Sequence, residues 1–347
     1  MRKRKLVLVA GACLAALSLG VGAAVADPSS IPRNLNGTGS DTTQGVMNAL
    51  SGVIPNIGSW DAATAPGQTF DEGKAGCNAV ARPSGSNNGI IALVNDRAAG
   101  THCLQFARSS TDNHTSHVGD HLTYIPFATD AVAYAIRGPG VTPGGSSISR
   151  NLTVAQLKTV YTQTGTTCLT AFEPLLPQFG SGTRKFFLEN VLGLGSGADV
   201  ANYAGPGGLH PCVKDTDAAG NPLLENTGNL LTDDKQIEPY SVSSWIAQTT
   251  KNVTDVHGVT LLGNINSVPS LAINTTATGV RPVFNVVPNV LVASGPNSQA
   301  TFVGPTSQVC QNTATILKQG FVANPSCGDT SIQSDSSLGT DTAGPGE

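Results

Sequence analysis

The sequence predicts an α/β fold built as two lobes with a ligand cleft between them. Short apolar stretches with strand spacing alternate with helical stretches along the chain, which is typical of α/β architecture. The chain has 347 residues, more than one hydrophobic core usually holds, so we expect two lobes. Several loops rich in glycine, serine and threonine lead directly into helices, and helix starts of this kind suit a bound anion.

The N-terminus has the pattern of a secretory signal peptide. Residues 2–5 are basic, an apolar run extends to Ala26, and 24–26 form a small-x-small cleavage site. A membrane anchor is the alternative, but the run is rich in Gly and Ala. The sequence around Cys13 is a poor lipoprotein signal. We therefore expect cleavage near Ala26, a secreted protein, and no membrane span after it.

Composition narrows the class of partner. The full chain has a net charge of −4, and removal of the four basic residues of the signal peptide takes it to about −8. This charge argues against nucleic acid and against an anionic membrane surface. Hydrophobic residues still make up 39% of the chain, which indicates a folded protein.

Six cysteines follow the predicted signal peptide, and an even number in an exported protein indicates disulfides. Many pairings are possible; we predict pairing between sequence neighbours, which gives Cys77–Cys103, Cys168–Cys212 and Cys310–Cys327. No CxxC spacing suggests a zinc–thiolate site. His114, His117 and His121 are spaced closely enough to suggest a metal site. Because no helical pattern places the three on one face, we favour a solvated loop. No metal and no cofactor is expected.

Taken in order, the first part of the chain alternates between small-residue loops and short elements. Helices are predicted over 44–50 and 90–95, and strands over 79–82 and 104–107. The apolar segment 124–136 is strand-rich, is interrupted at Thr129-Asp130, and is a candidate crossover between the lobes.

The second part continues the pattern. Helices are predicted over 152–161, from Ser181 onward, 240–248 and 306–319, and strands over 260–262, 282–287 and 290–292. We assign 31–127 to the first part of lobe 1, 128–262 to lobe 2, and 263–328 to the return into lobe 1 with a C-terminal helix. The tail 329–347 is rich in Ser, Asp and Gly and is predicted to be disordered.

Four polar turns are the candidate ligand site. In an open α/β sheet, strand ends and the helix starts that follow them face one crevice, where backbone N–H and hydroxyl donors surround a tetrahedral oxyanion. The candidates are Ser40, Asp41, Thr42, Ser86, Arg108, Ser109, Ser110, Ser181, Gly182, Thr183 and Arg184. Arg82, Arg108 and Arg184 lie beside these turns, and for each an ordinary ion pair is the alternative.

Six stretches occur together in a familiar order: GTGSDTTQGVMNAL, PSGSNNGIIALV, LQFARSSTD, YIPFATDAVAYAI, LTVAQLKTVYT and FGSGTRKFFLENVLG. In order and spacing the chain resembles the extracellular phosphate-binding proteins of phosphate ABC importers, and more narrowly a secreted actinobacterial branch of that family. The resemblance covers roughly residues 37–248. It implies a type 2 periplasmic-binding-protein fold with phosphate held in an inter-lobe cleft.

The family's site carries over in part. The resemblance implies ligand contacts at the loop 40–42, at Ser86 and at 181–183. The family's strand-end Asp, which accepts the proton of hydrogen phosphate, corresponds to Ser110 here, and its Arg falls near Pro177. Our hypothesis is that Asp41 replaces that proton acceptor and that Arg108 or Arg184 supplies the cation.

The sequence therefore predicts a non-enzymatic, monomeric solute-binding protein that captures phosphate or a related oxyanion, with an ABC permease as a further partner. Two alternatives stay open. One is a phosphatase-like secreted hydrolase with Ser181 or Thr42 as nucleophile, although neither has a neighbouring His in sequence. The other is a surface or adhesive protein whose cleft has degenerated.

Overall fold

The structure is a computed structural model that describes residues 27, 32–65, 67–141, 144–165, 167–271, 273, 279–344 and 346–347. Residues 1–26 lie outside the described residues, so the signal peptide stays a prediction. Strands and helices alternate through most of the chain, which confirms the predicted α/β class. No helix among the described residues is long and apolar enough to cross a membrane.

The strands of the described residues are β1 (Leu35–Gly39), β2 (Ile57–Ser59), β3 (Thr69–Phe70), β4 (Val80–Ala81), β5 (Phe106–Ser109), β6 (Leu122–Arg137), β7 (Asn151–Leu152), β8 (Glu173–Pro174), β9 (Gln236–Ser241), β10 (Thr260–Ile265), β11 (Val280–Pro288) and β12 (Val322–Ala323). The helices are α1 (Gln44–Ser51), α2 (Ser86–Ala98), α3 (Val154–Tyr161), α4 (Gly182–Phe186), α5 (Val242–Thr249), α6 (Asn289–Ser294), α7 (Pro296–Phe302), α8 (Gln308–Gln311) and α9 (Thr313–Lys318). The last turn of α4 continues into a π-helical turn over Phe187–Val191.

β6 is the long strand that joins the two halves of the structure. Its first part pairs antiparallel with β11 as far as Ala131, and its second part pairs with β9 and β10 from Val132 onward. The main sheet has the order β2-β1-β5-β11-β6-β10-β7. The segment expected to cross between lobes is thus one continuous strand. The interruption predicted at Thr129-Asp130 is wrong, because Asp130 lies opposite Arg281 in the β6–β11 ladder and its charge is paired there.

The hydrophobic core divides at the same point of β6. In the first half, α1 packs against β1, β5 and β11, with Leu35, Met47 and Val283 fully buried. In the second half, α3 and the π-helical turn pack against the end of β6, with Leu157 and Phe187 fully buried. The residue boundaries that we assigned to the lobes stay predictions.

Two predicted elements differ from the structure. Residues 290–292 were expected to be a strand but lie in α6. The strand ladder ends at Pro288, which cannot donate a ladder hydrogen bond and directly precedes the helix. The helix predicted over 306–319 is divided into α8 and α9 at Asn312, whose side chain donates to Gln308 O at 2.8 Å and so competes with the helical backbone pattern.

The three predicted disulfides, Cys77–Cys103, Cys168–Cys212 and Cys310–Cys327, are all present. Each closes a local loop, with sequence separations of 26, 44 and 17 residues. Glu72 lies close to the first pair of sulfur atoms. Because both of those cysteines are oxidised, they offer no thiolate to a metal.

The prediction of a disordered tail over 329–347 is wrong for the part of the tail that the structure describes. Tyr124 N donates to Ile332 O at 2.8 Å, and Ser334 N donates to Leu122 O at 2.9 Å, so the tail runs along the start of β6. Arg97 of α2 forms ion pairs with Asp341 at 2.7 Å and Glu347 at 2.6 Å. A polar composition does not prevent order when backbone bonds and a buried cation hold the segment.

We predict that the double substitution Asp341→Asn and Glu347→Gln destabilises the protein by about 2 kcal/mol, because it leaves the largely buried guanidinium of Arg97 without a counter-charge. Urea unfolding followed by circular dichroism measures the loss. An unchanged unfolding midpoint would mean that the tail is not docked in solution.

A second prediction concerns the pair at the centre of β6. Asp130→Asn keeps the shape and some hydrogen bonding but leaves the Arg281 charge unpaired, and both side chains are fully buried. We expect the free energy of unfolding to fall by about 3 kcal/mol in denaturant titrations. Asp329→Asn, at an exposed position, is the matched control and should change it by less than about 0.5 kcal/mol. Equal effects of the two substitutions would contradict the assigned role of Asp130.

Candidate functional site

The polar turns singled out in the sequence meet between the two halves of the structure. β1 and β5 are parallel neighbours, so their C-terminal ends lie at one edge of the sheet. The loop after β1 enters α1, and the turn after β5 contains Ser110. α2 begins at Ser86 in the first half, and α4 begins at Gly182 in the second. Two halves thus bring hydroxyl groups and helix starts to one place.

The packing of these turns requires glycine at two positions. A Cβ atom at Gly182 would lie 2.3 Å from Ser86 Oγ and 2.4 Å from Ser110 Oγ. A Cβ atom at Gly85, where φ is +95°, would lie 2.6 Å from Gly180 O. Ser86 Oγ also accepts a hydrogen bond from Ser110 N at 3.0 Å. The halves therefore touch directly through their backbones here.

A hydroxyl pair forms the second contact between the halves. Thr42 Oγ1, at the start of α1, lies 3.0 Å from Thr183 Oγ1 in α4. Asn226 Nδ2 donates to Thr42 Oγ1 at 3.0 Å. Both threonines are buried. Thr42 and Thr183, which the sequence had proposed as ligands on opposite walls, are thus brought together.

Arg281 is the arginine that reaches this contact. Its Nη2 donates to Thr183 Oγ1 at 3.0 Å and to Asp130 Oδ2 at 2.9 Å. Asp130 also accepts hydrogen bonds from Ser241 Oγ at 2.9 Å and Ser243 N at 3.1 Å, at the start of α5. One buried ion pair therefore orients the starts of α4 and α5 relative to β6.

Several donor groups around this contact are buried and have no hydrogen-bond partner among the residues that the structure describes. They are Ser40 Oγ, Thr43 Oγ1, Arg108 Nη2, Ser243 Oγ and Arg281 Nη1. Buried donors are normally satisfied, so a cluster of unsatisfied ones indicates capacity to hold an acceptor. The chemical character of the cluster is that of a site for oxygen atoms.

Glu225 introduces a carboxylate at the start of α4. Its Oε2 accepts hydrogen bonds from Ser181 Oγ at 2.6 Å and from Thr183 N at 3.2 Å. Ser181 Oγ in turn accepts from Arg184 N at 3.1 Å as the N-cap of the helix. The negative side chain is stabilised there by the helix dipole. Ser181 Oγ and Thr183 N, which donate to Glu225, are two of the donors that the sequence predicts for an oxyanion.

Asp41 faces a cavity beside the same contact and has unusual electrostatics. Burial, and next the charge of Glu225, raise the pKa of Asp41 to about 8, against the opposing effect of Arg108. A carboxyl group with this pKa is largely protonated at neutral pH, so Asp41 does not suit the role of proton acceptor that the sequence suggests for it.

The arginines expected at the site are engaged elsewhere. Arg184 donates to Asp199 at 2.7 Å and Asp215 at 2.9 Å, and its remaining nitrogen donates to Val200 O, so the structure does not bring its guanidinium to the cleft. Arg82 pairs with Asp27. The prediction of Arg184 as the ligand's cation is thus wrong, because two acids of its own half neutralise it.

Arg108 and Ser109 are buried but serve the loops around them. Arg108 Nη1 donates to Trp60 O at 2.6 Å and Ser59 Oγ at 3.1 Å, and burial lowers its pKa to about 10. Only Nη2 of Arg108 is without a partner among the described residues. Ser109 Oγ donates to Thr111 O at 2.7 Å, so its hydroxyl shapes the turn after β5.

The three histidines of the 114–121 segment bond to separate acids. The ring nitrogen Nδ1 of His114 contacts Asp112 at 2.6 Å, that of His117 contacts Asp120 at 2.7 Å, and that of His121 contacts Asp335 at 2.7 Å. His114 and His121 are half-buried, whereas His117 is buried and its Nε2 also lies 3.0 Å from Asn87 Oδ1, so the solvated-loop interpretation does not describe His117.

Cavities lie on both sides of the contact between the halves. One has a volume of about 530 Å³ and is lined by Asp41, Thr42, Asp61 and Asn226 among others. The other, of about 420 Å³, is bordered by Ser86, Gly182 and Lys185. The cluster of hydroxyl groups therefore lies between two routes from solvent.

Some residues of the site were not singled out in the sequence, although two carried a signal. Asp130 is the one acid in an otherwise uncharged stretch, 122–136, and Arg281 precedes the apolar strand residues 282–287. A charge inside a buried strand needs a partner, so the two could have been paired by that rule. Glu225 and Asn226 lie in an irregular segment whose sequence has no such pattern.

No protein-family model matches this chain, and no curated protein matches its sequence. The fold of the chain, however, is similar to that of solved structures. One is a phosphate ABC transporter substrate-binding protein from Clostridium perfringens, described with bound phosphate, at 16% identity and a TM-score of 0.51, with 84% of this chain and 99% of that chain covered. A second is an ABC-type phosphate transport receptor from Vibrio cholerae, at 15% identity and a TM-score of 0.49, with 84% of this chain and 100% of that chain covered. A third is a human phosphate binding apolipoprotein, at 14% identity and a TM-score of 0.49, with 84% of this chain and 91% of that chain covered.

At such identities the likeness concerns the fold alone, and the structure from Clostridium perfringens carries it. The comparison agrees with the division of the core along β6. The predicted two-lobed α/β fold of the periplasmic-binding class is therefore confirmed, whereas membership of an actinobacterial branch stays a prediction.

Proposed function

We propose that this chain is a secreted solute-binding protein that captures phosphate or a related oxyanion between its two lobes. The observation that carries the proposal is the meeting of Thr42 and Thr183, from helix starts in opposite halves, beside buried donors without partners. Hydroxyl and N–H groups in this arrangement match the acceptor oxygens of a tetrahedral anion. The fold is also that of proteins whose descriptions name phosphate.

The cation of the proposed site is Arg281. Its Nη1 is buried and has no partner among the described residues, while its other nitrogens are oriented by Asp130 and Thr183. A guanidinium that is oriented in advance binds an oxyanion at a low cost in conformational entropy. The hydroxyl groups of Ser40, Thr42, Ser86, Ser110, Ser181 and Thr183, with the N–H groups of Gly182 and Thr183, complete the proposed donor set.

The proposal is non-enzymatic. Ser181 Oγ and Thr42 Oγ1, the nucleophiles of the hydrolase alternative, bond to Glu225 and Asn226 rather than to a histidine. The degenerate-cleft alternative is not favoured, because donor groups from both halves still converge. Export through the predicted signal peptide, a monomeric state and delivery of the anion to an ABC permease complete the proposed role.

We expect inorganic phosphate to raise the melting temperature of the purified protein, since a ligand that binds only the folded state stabilises it by mass action. Isothermal titration calorimetry then gives the affinity, with sulfate as competitor. Thr183→Val should weaken phosphate binding about tenfold, because one buried hydrogen bond is lost. The exposed Thr159→Val, in α3, is the matched control and should not change it.

If neither phosphate, sulfate nor any other oxyanion tested raises the melting temperature, the proposed function is refuted. Release of product from a chromogenic phosphate ester, abolished by Ser181→Ala, would instead favour the hydrolase.

The raised pKa of Asp41 generates a prediction on pH. Because the folded-state pKa, about 8, exceeds the ordinary value of 3.8, the folded state holds this proton more tightly than the unfolded chain does. The stabilisation that comes from the proton on Asp41 is fully present below pH 4 and is lost as pH rises through about 8. Relative to Asp41→Asn, the wild-type protein should therefore become less stable between pH 4 and pH 8, with no further change well above pH 8.

Denaturant unfolding of the two proteins at pH 5, 7 and 9 measures this difference. If the difference in the free energy of unfolding between the two proteins is the same at all three pH values, Asp41 titrates normally. Calorimetry at the same pH values should show weaker sulfate binding at pH 9 in the wild-type protein only, because an ionised Asp41 repels the anion.

A further inference from the structure

The start of α4 already holds an anion, and that anion belongs to the chain itself. Glu225 is 3% exposed, and its Oε2 accepts from Ser181 Oγ and Thr183 N at 2.6 and 3.2 Å. A bound oxyanion would need the same two donors. Two negatively charged groups cannot share them at hydrogen-bond distance without strong repulsion.

Only half of the Glu225 carboxylate is held. Its second oxygen, Oε1, is buried and has no hydrogen-bond partner among the described residues. A carboxylate fully committed to a structural role would be expected to have both oxygens satisfied, since a buried charge without partners is costly. The contact thus gains two charge-assisted bonds while it leaves one oxygen unsatisfied.

The backbone beside Glu225 is firmly anchored, so the side chain can move without the loop. Asn226 has a positive φ of 58° and accepts hydrogen bonds at its backbone oxygen from Tyr240 Oη at 2.6 Å and Gln248 Nε2 at 2.9 Å. Its side chain bridges to Thr42 in the other half at 3.0 Å. A fixed backbone with a partly satisfied side chain is the arrangement that a displaceable group requires.

Space for the displaced side chain lies next to it. Leu224, Asn226 and Thr227, the neighbours of Glu225 along the chain, border the cavity of about 530 Å³. Rotation about the side-chain bonds of Glu225 would exchange its bonds to α4 for contacts with water.

We propose that Glu225 is a built-in competitor of the oxyanion, which occupies the donors of Ser181 and Thr183 and must leave them before the ligand binds. Glu225 therefore sets the affinity threshold of the site. The inference rests on the proposed function, and it adds a residue that opposes binding to a set of residues that support it. The raised pKa of Asp41, caused in part by the charge of Glu225, agrees with two acids lying close together at the site.

Calorimetric titration of the full-length protein with inorganic phosphate at pH 7.5 tests the inference. Glu225→Gln keeps the size of the side chain but removes its charge, so it holds the donors less strongly. We expect phosphate to bind at least about tenfold more tightly to this variant than to the wild-type protein. Glu173→Gln, the same change at a residue paired with Lys214 outside the cleft, should leave the affinity unchanged.

A second variant provides an independent measurement. Glu225→Ala leaves the donors free, and acetate then substitutes for the missing carboxylate. Acetate should weaken phosphate binding by Glu225→Ala and have little effect on the wild-type protein. Circular dichroism and the melting temperature of each variant establish that it is folded.

The outcomes separate the two proposals. If the wild-type protein binds phosphate and both variants bind it equally or more weakly, Glu225 is a supporting ligand or a structural cap, and the inference fails while the proposed function stands. If only the variants bind phosphate, the inference is supported, but the wild-type protein fails the test of the proposed function. If neither the wild-type protein nor any folded variant binds phosphate, both are overturned.

Discussion

The ion pair between Asp130 and Arg281 is the interaction on which the rest of the structure depends. It lies at the point where β6 passes from one half of the structure to the other, and both side chains are fully buried. Through Ser241 and Ser243 the pair orients the start of α5, and through Thr183 it orients the start of α4. Because a buried ion pair is costly when either charge loses its partner, it favours the arrangement of strands and helices that keeps the two side chains together.

The balance of charge at the contact between the halves explains why the site needs so many neutral donors. Asp41, Asp130 and Glu225 offer three carboxyl groups, whereas Arg108 and Arg281 offer two guanidinium groups whose donors are largely used by the protein. An anion cannot depend on net positive charge here. In the proposed site the anion is met by hydroxyl groups and helix starts, together with an Asp41 whose pKa is raised, and such groups distinguish ligands by geometry and protonation more than by charge.

Local patterns predicted much of the fold because local physics decides it. Apolar segments identified β5, β6, β10 and β11 but not β1, β2, β7 or β9 of the same sheet. The polar residues before apolar runs identified the starts of α3 and α4, and neighbouring cysteines paired as expected. The predictions failed where a contact with a residue distant in sequence overrides the local composition. The polar tail is ordered because Arg97 and the edge of β6 bind it, and Asp130 continues a strand because Arg281 lies opposite.

For the site, the sequence by itself determined which turns carry hydroxyl groups and precede helices, and Ser86, Thr42 and Ser181–Thr183 do lie together. Only the tertiary structure decided which charged groups face them. Arg184 is adjacent to the motif but is neutralised by Asp199 and Asp215, whereas Arg281 and Glu225 are distant in sequence and reach it. The physical reason is that a helix start is defined by a few consecutive residues, while the electrostatic environment of a buried site is the sum over all the segments that pack around it.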